Sequence, residues 1–184
     1  MQTEKLSAID ASGAAVACSA GQNEQANATG VYTVECVGAD GQVKWTDTFH
    51  NLVTTVGKND LLDKYLSGSS YTAAWYLGLV NGSSAPTYDA ADTISSHAGG
   101  TEITAYSEST RPAPSFNAAS GGSKSSSATA FNINGTATVA GAFLVSNSTK
   151  SGTSGILYSA GNFSGGNRAV VSGDTLNVTY TASV

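Results

Sequence analysis

Asn51-Leu52-Val53-Thr54-Thr55-Val56-Gly57-Lys58-Asn59-Asp60-Leu61-Leu62-Asp63-Lys64-Tyr65-Leu66-Ser67-Gly68, running on to Trp75-Tyr76-Leu77-Gly78-Leu79-Val80, places the chain's one convincing helix beside its most apolar strand. Asn59 reads as a helix cap with Asp60 in the first turn. Leu61, Leu62, Tyr65 and Leu66 then recur on one helical face, and Gly68 supplies the stop. Asp60 and Lys64 stand four apart on the opposite side, a pairing worth only a few tenths of a kcal/mol, so such a short helix depends on burying its stripe against a sheet. In Ala74 to Val80, Trp75, Leu77 and Leu79 point one way and Tyr76 and Val80 the other, the pattern of a central strand covered on both faces. Helix stripe and strand are expected to share one core, with Trp75 buried in it.

On the N-terminal side of this pair, Tyr32, Val34 and Cys36 alternate with Thr33 and Glu35. The turn Gly38-Ala39-Asp40-Gly41 follows, and then Val43, Trp45 and Phe49 alternate with Lys44, Thr46 and Thr48. This is a β-hairpin. Asp47 interrupts its apolar face and calls for a bulge, an edge position or a bonding partner. Leu52 to Val56 reads as a short strand entering the helix.

On the C-terminal side, Asn81 to Gly100 is a long connection carrying Pro86, Tyr88, Asp89, Asp92 and His97, a length typical of binding loops or of loops clamped by a neighbour. Thr101 to Ser107 alternates as a strand. Arg111-Pro112-Ala113-Pro114 opens an extended segment that prolines bar from a sheet centre, and Ser120-Gly121-Gly122-Ser123 is a loop tip. Further strands are expected at 128–133, 137–145, 156–160, 168–171 and 175–181. Roughly ten short strands at this spacing describe an all-β chain, a β-sandwich or jelly-roll-like domain with one short helix. Residues 1–29 hold few large apolar side chains, Leu6, Ile9 and Val16 among them, and read as an extended N-terminal arm to the 30–184 domain, ordered by contact with a neighbour.

Only 11% of residues are charged, against about 25% in an average soluble domain. That leaves either a surface partly covered in an assembly or a bland Ser/Thr-rich one. The net charge is −5 and the eight basic residues are scattered singly, which argues against a nucleic-acid groove. No apolar run approaches the roughly 20 residues that span a bilayer, and Glu4 and Asp10 stand where a secretory signal would be basic and then apolar. Cys18, Cys36, His50 and His97 do not fall at zinc spacings, and Asp89 and Asp92 lack the alternating oxygen ligands of a calcium loop. No Gly-x-Ser-x-Gly elbow accompanies His97. Glu102 and Glu108, on one face of a continuous strand, would stand roughly 20 Å apart, too far for a glycosidase pair unless the chain bends. The expectation is a non-enzymatic chain with no metal and no cofactor.

The segments His50 to Gly57, Trp75 to Leu79, Ser96-His97-Ala98-Gly99, Tyr106-Ser107-Glu108 with Arg111-Pro112, Gly141 to Val145 and Ser172 to Tyr180 resemble small structural proteins of tailed bacteriophages, similar to capsid decoration or cement proteins. The resemblance spans about residues 30 to 184, and no catalytic residues transfer with it. It implies a virion protein on the capsid surface, made in the host cytoplasm, which binds the major capsid protein from outside, clamps neighbouring subunits and forms a homo-oligomer, a dimer or trimer. Candidate contact residues are Leu6 and Ile9 in the arm, Tyr88 in the long loop, and Arg111 and Phe116 in the proline-rich segment. The alternative is a glycan-binding or structural module of the phage tail or fibre, with Tyr71, Trp75, Tyr76 or Tyr88 stacking on sugar rings.

Overall fold

The alternation in the first hairpin is realised from end to end in its first strand and from Trp45 onward in its second, with Val43 exposed, in the computed structural model, which describes residues 27–66, 74–84, 86–96 and 102–184. Strand β1 (Thr29–Val37) buries Gly30, Tyr32, Val34 and Cys36, and β2 (Val43–His50) pairs with it through a turn closed by Gly38 N–H to Gln42 O at 2.8 Å. The remaining strands are β3 (Leu52–Val53), β4 (Tyr76–Asn81), β5 (Glu102–Ile103), β6 (Ser123–Ser125), β7 (Thr129–Asn132), β8 (Ala137–Val145), β9 (Leu157–Asn162), β10 (Arg168–Val170) and β11 (Thr175–Ser183), with helix α1 (Thr55–Leu66) between β3 and β4. They form two antiparallel sheets. One runs β2-β1-β11-β6, with β7 also on β11. The other runs β3-β9-β8-β4-β5, with β10 also on β8.

The described residues therefore form an all-β sandwich with one short α-helix. Its main core lies between the sheets, where Tyr32, Val34, Leu176 and Val178 of one meet Leu77, Leu79, Val139 and Leu144 of the other. A second cluster sits on the outer face of the second sheet, where Val80, Phe143, Val145 and Leu157 are covered by Ile94 and Tyr88 of the long connection. Strand β4 thus does have both faces covered. It lies one place in from the sheet's end, with only the two-residue β5 beyond it.

Within the core the aromatic rings form a continuous series. Trp45 meets Phe163 at 5.5 Å, Phe163 meets Phe49 at 5.3 Å, Phe49 meets Tyr32 at 5.4 Å, Tyr32 meets Tyr180 at 4.6 Å, Tyr180 meets Tyr158 at 6.4 Å and Tyr158 meets Trp75 at 5.4 Å. Where the series crosses between sheets, the Tyr32 hydroxyl and Ser159 Oγ share a hydrogen bond of 2.8 Å, which satisfies both buried groups.

The helix departs from the sequence reading in three ways. It begins five residues earlier than Asn59 would allow, because Thr54 is the cap: its hydroxyl accepts from Gly57 N–H at 3.1 Å and donates to the carbonyl of Leu157. Leu52–Val53 is accordingly a two-residue strand that ends before Thr54. The helix is also turned over. Gly57 is its one buried residue, so close to β9 that an added Cβ would stand 2.6 Å from Tyr158 O. Seating the helix through that glycine turns Asp60 and Lys64 inward and leaves Leu61 on the rim of the space beneath it, while Leu62, Tyr65 and Leu66 face out. The shared core of stripe and strand does not form; Leu77 and Leu79 pack between the sheets instead.

Asp47 has found its partners. Its carboxylate, buried at the edge strand β2, accepts from Ser164 N–H at 3.1 Å, Ser164 Oγ at 2.8 Å and Gly165 N–H at 3.0 Å, with Arg168 at 3.5 Å. Burial pushes this carboxyl up, but the hydrogen bonds from Ser164, Gly165 and Arg168 outweigh it and hold it below the ordinary range.

Candidate functional site

Along the inward face of α1 runs a groove of about 380 Å³. The helix contributes Asp60, Leu61 and Lys64. The second sheet and its approach contribute Leu144, Tyr158 and Trp75, the first sheet contributes Tyr180 and the end of β11 from Ala182 to Val184, and the far side is closed by Phe116, Ala119 and residues 122–124. Each wall follows from local sequence. Trp75 and Tyr158 meet edge to face, and Tyr158 meets Tyr180 the same way, so the groove is the open end of the core's aromatic series. Burial pushes the Tyr158 and Tyr180 phenols up, which keeps both neutral. The loop tip that ends the far wall turns through Gly121 and Gly122, both at positive φ (57° and 74°), as its sequence predicts. Lys124 is fixed there by a 2.8 Å bond to Asn117 O. An apolar groove with a few charged groups suits the capture of apolar side chains or rings.

Beside the groove, the outward face of the helix forms a second feature. Leu62 is 53% exposed, Tyr65 78% and Leu66 72%, and Val184 stands exposed where β11 ends. Sequence reading missed both features because it assigned the stripe to the core.

The candidate contact residues separate. Leu6 and Ile9 lie outside the described residues, as do Tyr71, His97 and Cys18. Tyr88 is half-buried and packs over the outer face of the second sheet. Phe116 is half-buried, packs on the main core and lines the groove. Arg111 is corrected outright. At 2% exposure it is interior, with Nε 3.0 Å and Nη2 2.9 Å from the two oxygens of buried Glu102. It also donates to the carbonyls of Asn147 (2.9 Å) and Gly152 (3.0 Å) and lies 5.2 Å from the Phe143 ring centre. A bidentate pair with its remaining donors satisfied is a cross-brace, not a contact surface. Lys150 reinforces the corner through Tyr106 O at 2.8 Å and stands 3.7 Å from the Tyr106 ring centre.

The acid pair Glu102 and Glu108 does not share a continuous strand. β5 ends at Ile103, and past a single bridge at Tyr106 Glu108 turns to the β7 edge, where it accepts from Asn132 Nδ2 at 2.6 Å. Both carboxylates are thereby committed to structural bonds. Trp75, expected to be sealed, is only half-buried and faces the groove. Cys36 is fully buried, and its thiol is pushed up to about 11, by burial first and then by Asp174. Among the described residues no group of three or more His, Cys, Asp and Glu side chains could hold a metal ion, and no helix is long and apolar enough to cross a membrane. No protein-family model and no curated protein matches the chain.

Proposed function

We propose that this chain is a non-enzymatic structural protein of a tailed-phage virion, which binds the outside of the capsid as a homo-oligomer and stabilises the shell by clamping neighbouring major capsid subunits. The observation that carries the reading is the outward apolar face of α1, Leu62, Tyr65 and Leu66, on a chain with only 11% charged residues. Contiguous exposed apolar side chains of this size mark surfaces meant to be covered. The segment resemblance supplies the class of partner. Such a protein works by adding contacts that only the assembled lattice offers, so its binding free energy becomes shell stability.

The test is occupancy on shells of the phage that encodes the chain. Added protein should bind saturably and raise the shell's melting temperature, and Tyr65→Glu with Leu66→Glu should weaken both effects without altering the fold. Localisation of the chain to the tail, or shells that melt identically with and without it, would overturn the capsid reading. The half-exposed Trp75 favours a second reading, a glycan-binding module of the tail or fibre. Saturable binding of a host-surface glycan, lost in Trp75→Ala, would favour that reading over the first.

A further inference from the structure

We infer that the groove beneath α1 is the docking site for the chain's own N-terminal segment, with Leu6 and Ile9 as the side chains that enter it. The register of the first sheet sets the root of the segment at the groove's rim. Thr29 pairs with Ser183, so the chain enters β1 beside Ser183 and Val184, which themselves line the groove. Ile9 precedes Thr29 by 20 residues, a stretch whose fully extended reach of about 70 Å exceeds anything needed to bring it back to that rim.

The chemistry of the two partners also matches. Among its first 26 residues the chain carries Glu4, Asp10 and Glu24 against the single base Lys5, and the groove offers Lys64 and Lys124 beside Asp60 and Val184. The segment's few large apolar side chains suit one groove of about 380 Å³, at the small end of ligand pockets. A tethered segment also meets its own groove at far higher effective concentration than any second copy does in dilute solution. This inference concerns the isolated chain and stands apart from the virion reading.

Trp75 lines the groove and reports on it. Trp45, the other tryptophan of the two, lies against Phe163 at the far end of the aromatic series and can be removed by Trp45→Phe. In the full-length Trp45→Phe chain, adding Leu6→Glu with Ile9→Glu should shift the Trp75 emission to the red by several nanometres. Binding of an anilinonaphthalene dye should rise several-fold, with unchanged far-ultraviolet circular dichroism. A synthetic peptide of residues 1–26 added to that variant should reverse both changes saturably, and the same peptide carrying the two glutamates should not. The emission of the unsubstituted arm should stay constant on dilution. Identical emission and dye binding with and without the glutamates would overturn the inference. So would an emission that changes with protein concentration, which would mean that a second copy fills the groove.

Discussion

Arg111→Met tests the cross-brace at the corner of the sandwich. It removes both hydrogen bonds to Glu102 and those to the carbonyls of Asn147 and Gly152. Methionine fills much of the space, so the loss is chiefly electrostatic: the Glu102 carboxylate stays interior, with the Ser151 N–H and the more distant Tyr106 hydroxyl as its remaining donors. Stranding one member of a buried pair costs about 3–5 kcal/mol, which for a domain of this size lowers the melting temperature by roughly 6–20 °C. Glu102→Gln on the Arg111→Met background removes the stranded charge and should recover a large part of the loss, a coupling that a double-mutant cycle in guanidinium measures directly. Hydrogen exchange should quicken locally at residues 146–155, where Arg111 holds the carbonyls of Asn147 and Gly152. A loss below about 1 kcal/mol, or a double variant no more stable than the single, would refute the assignment of Arg111 to the interior.

Leu77→Ala, at a site with no solvent exposure, should cost about 2–5 kcal/mol by chemical unfolding, whereas Leu66→Ala on the outward helix face should stay within about 0.5 kcal/mol. Thr54→Ala removes the helix cap and should cost about 0.5–2 kcal/mol, read as lost stability and faster exchange in the first turn of α1. Gly141→Ala would set a Cβ 1.9 Å from Gly161 O, so β8 and β9 must part and the loss should exceed about 1 kcal/mol. Asp174 is pushed up by burial but held below its ordinary range by its bonds from Lys44 and Val171 N–H, and Asp47 is likewise low. Their stabilisation is therefore complete above the unfolded carboxyl value near about 3.9 and fades as pH falls through the folded values. Asp47→Asn should flatten the acid limb of a stability-against-pH curve, and an unchanged limb would contradict this.

The longer strands were legible because they state their own faces. Tyr32, Val34 and Cys36, or Leu176, Val178 and Tyr180, alternate without interruption, and a half-buried strand needs nothing more. Asp47 was legible as an anomaly, since a carboxylate on an apolar face must be paired. The helix was misread because periodicity specifies a stripe but not what lies across from it. The contact that decided its seating is Gly57, which has no side chain to announce it. Arg111 was misread for a related reason: its partners at Glu102, Asn147 and Gly152 are brought together only by tertiary structure. The short β6, which closes the groove's far side, carries Ser-Lys-Ser and no apolar signal at all. The groove was therefore invisible until helix, β6 and β11 were placed together.

The placement of β11 has a consequence for how the chain reaches its native state. It is flanked by β1 on one side and by β6 and β7 on the other, so the first sheet is assembled around a strand synthesised after all its other strands. Before Ser183 has cleared the ribosome, β1 can hold only its hairpin with β2, and Tyr32, Val34 and Cys36 lack the strand that completes their sheet. Closure between residues as distant in sequence as Thr29 and Ser183 is slow by comparison with local pairing. The first sheet therefore cannot close until β11 has emerged, and a nascent chain stalled before Thr175 should remain open to protease across the β1–β2 hairpin, where the folded protein resists it.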